Sequence, residues 1–196
     1  EQGAGNYINQ LRMNVKGLDV ERFRNAWQAA LDRHDVLRAS FVTGFEQPLQ
    51  VIRKQVEMPF AVLDWRAQPA LHANLDSWAE ADLQRSFDLQ DAPLLRLTVI
   101  RTDVDHHHLI YTSHHILMDG WSVGVFFREL LARYAGADLP PARPYREYIG
   151  WLSARDDAGA LQAWTDYLHT CKKEGLHFIQ PGRFVLPGDM AGAPAL

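Results

Sequence analysis

The stretch Ser113-His114-His115-Ile116-Leu117-Met118-Asp119-Gly120-Trp121-Ser122 lies between two runs of opposite character. Before it, Leu109-Ile110-Tyr111-Thr112 is apolar and β-favouring and reads as a buried strand. After it, Val123, Phe126, Phe127, Leu130, Leu131 and Tyr134 recur at the spacing of one helix face. The junction between them carries two adjacent histidines, an acid a few residues on, and a glycine beside that acid.

Working outward, Leu94 to Arg101 and His107 to His115 read as long strands, and Thr102-Asp103-Val104-Asp105 is short enough to join them as an antiparallel hairpin. Near the start, Tyr7 to Val15 alternates as a half-buried strand does, and Lys16-Gly17 ends it. Asp19 is a good N-cap for a helix reaching His34, with Val20, Phe23, Trp27 and Leu31 on one stripe. Leu37 to Val42 and Leu49 to Lys54 read as strands around a Thr43-Gly44 turn, and Phe60 to Trp65 as another. Pro69 opens a further helix to about Phe87, with Leu71, Leu75, Trp78, Ala79 and Leu83 facing inward. Residues 139–144 form an internal Pro-rich linker, two helices are expected over Tyr145 to Ala154 and Ala158 to about Thr170, and 171–196 reads as an extended tail. Strands and helices mix without strict alternation. The fold class expected is therefore α/β of the α+β type, an open mixed β-sheet covered by helices.

Composition narrows the function. The 196 residues are 47% hydrophobic and 22% charged, enough for one large domain or two small lobes. A net charge of −4 offers no electrostatic reason to expect nucleic acid or an anionic membrane as partner. No apolar run approaches the ~20 residues that span a bilayer, and the first residues lack the plan of a signal peptide, so a cytoplasmic location is expected. The lone cysteine, Cys171, excludes an internal disulfide and a multi-cysteine zinc site and reads as a bystander on a helix. The chain opens without Met on what reads as structured chain, which suggests a cut through something longer.

At the junction, successive strand side chains point to opposite faces, so one histidine is expected to be structural and the other functional unless the strand has already ended. Alternation alone leaves open which is which. A neutral imidazole suits general-base work near neutral pH. Asp119 is placed either to accept backbone N–H bonds or to pair with an arginine, and Gly120 to permit a backbone path or a close approach that a Cβ forbids. The bland readings are a strand-end histidine with a structural role and a common Asp-Gly turn. Metal binding by His106, His107, His108, His114 and His115 lacks a spaced third ligand. Gly120-Trp121-Ser122-Val123-Gly124 spells a nucleophile elbow, but Ser122 follows an Asp-Gly turn, and only His169 and His177 lie far downstream.

His114-His115-Ile116-Leu117-Met118-Asp119-Gly120, extended by Trp121-Ser122, resembles the HHxxxDG signature of the condensation domains of nonribosomal peptide synthetases. Arg33-His34-Asp35-Val36-Leu37-Arg38-Ala39-Ser40-Phe41 is similar to that family's RHxxLRTxF motif, departing at Ala39-Ser40. Phe87-Asp88-Leu89 with Pro93-Leu94-Leu95-Arg96, Tyr145 to Trp151 with Glu147 for the usual Asp, and Leu186-Pro187-Gly188-Asp189 follow in the family's order. The resemblance implies one chloramphenicol-acetyltransferase-like lobe, the N-terminal one, over 1–196, without the opening helix or the C-terminal lobe.

It also implies amide-bond formation between a carrier-bound acyl or peptidyl thioester and a carrier-bound aminoacyl amine, each on a phosphopantetheine arm. His115 would be the catalytic group, with His114, Asp119 and Gly120 supporting it. Arg33, His34, Arg38, Trp121 and Ser122 would be structural, with Arg38 a candidate partner for Asp119. Partners would be donor and acceptor carrier domains, the C-terminal lobe, and an adenylation domain in cis or in a neighbouring subunit. No cofactor or metal is expected on the chain itself, which has no carrier-type serine motif and no adenylation motif. Because the implied channel runs between two lobes, the chain alone is expected to be inactive. An epimerization domain, a free-standing acyltransferase and a non-catalytic docking lobe are the alternatives; Trp121, where epimerization domains tend to carry valine, weighs for condensation.

Overall fold

In the computed structural model, which describes residues 7–173, 177–178 and 184–185, the elements run β1 (Ile8–Lys16), α1 (Val20–Arg33), β2 (Ala39–Val42), β3 (Leu49–Ile52), β4 (Phe60–Asp64), α2 (Leu71–Gln84), β5 (Leu95–Arg101), β6 (His106–His114) and α3 (Gly120–Tyr134). Then come α4 (Tyr145–Ser153), α5 (Asp157–Lys173), β7 (His177–Phe178) and β8 (Phe184–Val185). The chain divides into two compact units, Glu1–Tyr145 and Arg146–Leu196.

In the first unit a four-stranded sheet has the order β1-β6-β5-β4. β6 pairs antiparallel with both β1 and β5, and β4 pairs parallel with β5, so the sheet is open and mixed as the sequence predicts. Thr102 N–H closes the β5–β6 turn on the His106 carbonyl at 2.9 Å. Odd-numbered positions Leu97, Val99, Leu109 and Tyr111 join Trp27 and Leu31 of α1 and Phe126 and Leu130 of α3 in one core. Even-numbered Ile100 and Ile110 point the other way, onto Leu75 and Ala79 of α2. The period of two in the strands thus decides which helix each residue meets.

The helix starts follow their caps. Asp19 Oδ1 accepts the Arg22 N–H at 3.0 Å at the head of α1, and Phe23, Ala26, Trp27, Ala30 and Leu31 are buried along it. In α3 the apolar stripe is narrower than its spacing suggests: Phe126 and Leu130 are buried, but Leu131 is 56% exposed. Helix α2 begins at Leu71, not at Pro69, because residue Ala70 takes a left-handed turn (φ 51°) and the Pro69 carbonyl accepts the Asn74 side-chain amide instead. Residues 35–38 form a 3-10 turn, so the strand expected from Leu37 starts only at Ala39. In that turn Arg38 folds back under α1 and donates to the carbonyls of Leu31 and Asp32, which the helix end leaves unpaired. β2 and β3 form their own antiparallel pair around Gly44.

The second unit holds α4, α5 and the antiparallel pair β7–β8, so the stretch read as an extended tail includes the last turn of α5 and a short ladder. The Leu186-Pro187-Gly188-Asp189 motif lies outside the described residues.

Candidate active site

β6 ends at His114, one residue earlier than the sequence pattern suggests. Its backbone N–H still joins the sheet edge, donating to the Leu94 carbonyl at 2.9 Å. His115 has left the strand: its N–H donates to the Tyr7 carbonyl at 2.6 Å, and the Leu117 N–H closes a turn on the His114 carbonyl at 3.2 Å. This removes the constraint that would have put the two imidazoles on opposite faces. Both line a single cavity of about 600 Å³, with Tyr7, Phe87, Leu89 and Ile116 supplying an apolar wall and Ser86 at its edge. The strand has ended before His115, so strand alternation does not apply to the pair.

Their environments differ. His114 is half-buried, stacks beside the Tyr7 ring at 6.2 Å and accepts the Ile116 N–H on Nδ1 at 3.1 Å. Burial, and the neighbouring His115, hold its pKa below the ordinary value of 6.5, so His114 is a neutral, oriented acceptor at physiological pH. His115 is exposed, and its Nδ1 lies 3.2 Å from the Asn9 side-chain amide. Asn9 sits opposite Ser113 in the β1–β6 register, so the edge strand delivers it to the histidine turn.

Asp119 caps α3. Its Oδ1 accepts the Ser122 N–H at 2.7 Å, and its carbonyl accepts the Val123 N–H at 3.0 Å. The Ser122 backbone and side chain hold the Asp119 carboxyl below the usual 3.8. Of the two roles open to it, the structure selects backbone acceptor. Arg38 is not its partner, because that guanidinium is committed to Asp35 Oδ1 at 2.8 Å and to the carbonyls of Leu31, Asp32 and Arg53.

For Gly120 the backbone-geometry alternative fails. Its φ is not positive and a Cβ built there meets nothing within 4 Å, so in this lobe no backbone need explains a glycine. Trp121 is 87% exposed and joins no core, while Ser122 is exposed and gives its N–H to the Asp119 cap. Arg33 and His34 do act structurally: Arg33 Nε and His34 Nε2 reach Glu129 of α3 at 2.9 and 3.1 Å, tying the end of α1 to the helix that Asp119 begins. Burial lowers the His34 pKa against the pull of Glu129.

Two features are not foreseen from the sequence. One is Asn9. The other is a buried polar group beneath the cavity, in which Arg96 Nε donates to Asp82 Oδ1 at 2.7 Å and the Thr112 hydroxyl donates to Asp82 Oδ2 at 2.5 Å. Gln10 Nε2 adds bonds to the Ala79 carbonyl at 2.9 Å and to Asp82 Oδ2 at 3.3 Å. The signal for it is an acid at i+7 on the Leu75–Ala79 stripe and an arginine inside an apolar strand. Of the central histidines, His108 is taken up by Asn14 Oδ1 at 2.6 Å and by Arg12 Nε at 3.4 Å. Among the described residues no three His, Cys, Asp or Glu side chains gather as a metal group.

A mixed sheet with helices on both faces and a histidine pair at the end of β6 is the arrangement that the resemblance to a chloramphenicol-acetyltransferase-like lobe implies. The model of the condensation-domain family matches residues 1–177, and the chain belongs to that family. It is 36% identical to chondramide synthase cmdD of Chondromyces crocatus, with 85% of the chain and 4% of that protein covered. It is 34% identical to bacitracin synthase 3 of Bacillus licheniformis, over 86% of the chain and 3% of that protein. Among solved structures, the EpoB cyclization-docking bidomain from Sorangium cellulosum superposes with a TM-score of 0.74 at 26% identity, covering 86% of this chain and 34% of that one. The chain thus spans a small part of the synthetases it resembles.

Proposed function

We propose that this lobe contributes the histidine pair of an amide-forming condensation site, in which an acceptor amine attacks a donor thioester. The C–N bond forms at the thioester carbonyl, the C–S bond breaks, and the proton lost by the amine ends on the departing thiolate. His115 serves this transfer as base or as the group that positions the amine, and His114 holds the turn and lines the cavity. The single observation that carries the reading is that both imidazoles face one apolar cavity where β6 ends, in a chain of the condensation family.

The Asn9 amide bears on the choice between the two roles. With its nitrogen toward Nδ1, the neutral His115 ring keeps its proton on Nε2 and donates there; with the amide turned over, Nδ1 carries the proton and Nε2 accepts one. A base role requires the second arrangement. No residue of the chain is assigned to a cofactor. Substrates arrive on phosphopantetheine arms of donor and acceptor carrier domains, and a second condensation lobe and an adenylation domain act in cis or in a neighbouring subunit. The proposed place of action is the cytoplasm. Among the described residues no helix is long and apolar enough to cross a membrane.

The test is to supply carrier-bound donor and acceptor to the synthetase that contains this sequence and identify the product by mass. The expected product is the amide on the acceptor arm. A donor with inverted stereochemistry, acylation of a soluble amine only, or no product would point instead to an epimerization domain, a free-standing acyltransferase or a docking lobe.

A further inference from the structure

One wall of the histidine cavity is built with more bonds than a surface loop requires. It is the segment 85–89 between α2 and β5, which carries Phe87 and Leu89 into the cavity. Arg96 rises from β5 beneath it. Its Nη2 donates to the Arg85 carbonyl at 2.9 Å, and its guanidinium carbon lies 4.3 Å from the centre of the Phe87 ring. The same guanidinium is gripped by Asp82, and both residues are buried, at 9% and 5% exposure. Asp82 in turn holds Thr112, which stands two residues before His114 on the same strand face. At the other end of the segment the Phe41 N–H donates to the Leu89 carbonyl at 2.7 Å, and Arg53 Nη2 donates to the Gln90 carbonyl at 3.1 Å.

A single polar cluster therefore fixes both the wall that bears Phe87 and the strand that bears the histidines. Side chains locked this way keep a site's dimensions when a ligand enters. Among the described residues no Asp, Glu, Lys or Arg lines the cavity, and its polar groups are the two imidazoles and Ser86, so the wall that Phe87 and Leu89 form meets an uncharged aliphatic group.

We propose that Arg96, gripped by Asp82, is a positioning residue that holds Phe87 as a rigid wall, and that Phe87 selects substrates by the width of the uncharged aliphatic group lodged beside His114 and His115. This rests on the reading of the cavity as the reaction site. Slender straight-chain groups are favoured over wide ones.

The test uses the 196-residue chain, labelled for NMR, with two neutral probes, hexanamide and cyclohexanecarboxamide. Hexanamide is expected to move the ring signals of His114 and His115 and to bind about 10-fold more tightly than the wide probe, a ratio within the reach of a few methylene contacts. Phe87→Ala is expected to erase that preference. Arg96→Met, which touches neither probe, is expected to erase it too, and Arg96→Lys to restore part of it by returning a cation under the ring.

An Arg96 that served stability alone would lower the melting temperature and weaken both probes in proportion, and that result overturns the positioning role. Should Arg96→Met not fold, Phe87→Ala and Phe87→Leu decide alone: an unchanged preference in them, or wild-type histidine signals unmoved by hexanamide, overturns the proposal. Amide formation by the synthetase is a separate arm. A shifted preference without any amide product from the wild type refutes the proposed reaction and upholds the wall; amide product with an unchanged preference does the reverse.

Discussion

The two faces of the central sheet are built on different principles. The face toward α1 and α3 is dry and aromatic: the Trp27 ring lies 5.2 Å from that of Tyr111 and 5.3 Å from that of Phe126, centre to centre, and burial pushes the Tyr111 phenol up to about 12. The face toward α2 sets polar groups beside Ile100 and Ile110: Arg12 pairs with Asp76, Gln10, Arg96 and Thr112 gather on Asp82, and His108 is held by Asn14 and Arg12. The dry face supplies the mass of the fold. The polar face fixes the strand end and the loop that frame the cavity. Apolar burial is non-directional, whereas a buried pair with several bonds specifies one geometry.

The largest predicted effects test that contrast. Trp27→Ala should cost about 3–5 kcal/mol through the cavity it leaves. Asp82→Ala should cost about 3–5 kcal/mol by stranding a buried guanidinium. The two losses differ in whether they can be undone. Adding Arg96→Met to Asp82→Leu should recover much of the stability, while no further truncation repairs Trp27→Ala. Denaturant midpoints of the single and double variants measure this, and an Asp82→Leu, Arg96→Met double no better than Asp82→Ala would break the comparison.

A smaller effect follows from protonation. His34, His107, His108 and His114 are all held below 6.5, chiefly by burial. In each case the unfolded chain takes up a proton before the folded one does. Their contribution is therefore whole above the unfolded value of 6.5 and is lost as pH falls from there through the lower folded value. Melting temperatures between about pH 7.5 and 5.5 should decline, and His108→Asn should flatten the decline. A pH-independent melting temperature over that range would contradict the assignment.

The smallest effects sit at the start of α3. Asp119→Ala removes the cap and should lower the melting temperature by a few degrees, more at neutral pH than in acid, since a depressed carboxyl gives up its contribution as pH falls. Gly120→Ala should leave the melting temperature unchanged or raise it slightly, because the added methyl group meets nothing and alanine favours the helix that begins there. Loss of synthetase activity in a stable Gly120→Ala chain would mean that substrate or a partner passes over that position.

The dry face is legible in the sequence because period and hydrophobicity coincide there: spacing alone places Phe23, Trp27 and Leu31 in α1, and Phe126 and Leu130 in α3. The polar face is not, because a charge on a buried stripe is indistinguishable from a solvated one until its partner is known, and Asp82 and Arg96 are 14 residues apart. The histidine pair stands out in the sequence, but its geometry turns on where β6 stops, and strand ends are set by tertiary bonds such as that of the His115 N–H to Tyr7. The pairing of Arg38 with Asp119 fails for a related reason. Motif position suggests that partner, while the open carbonyls at the end of α1 claim the guanidinium in space.

Two histidines share one cavity, and the exposed one is proposed to act on the reacting groups. The most direct measurement is the single-turnover rate of amide formation from carrier-bound donor and acceptor in the synthetase bearing this sequence, compared among wild type, His115→Ala and His114→Ala. The predicted result is a slowing of about 10²–10⁴ for His115→Ala with an unchanged melting temperature, the usual range for a lost proton-transfer group, and a smaller loss for His114→Ala accompanied by a lower melting temperature. A His115→Ala rate equal to wild type, with the loss falling on His114→Ala instead, would contradict it.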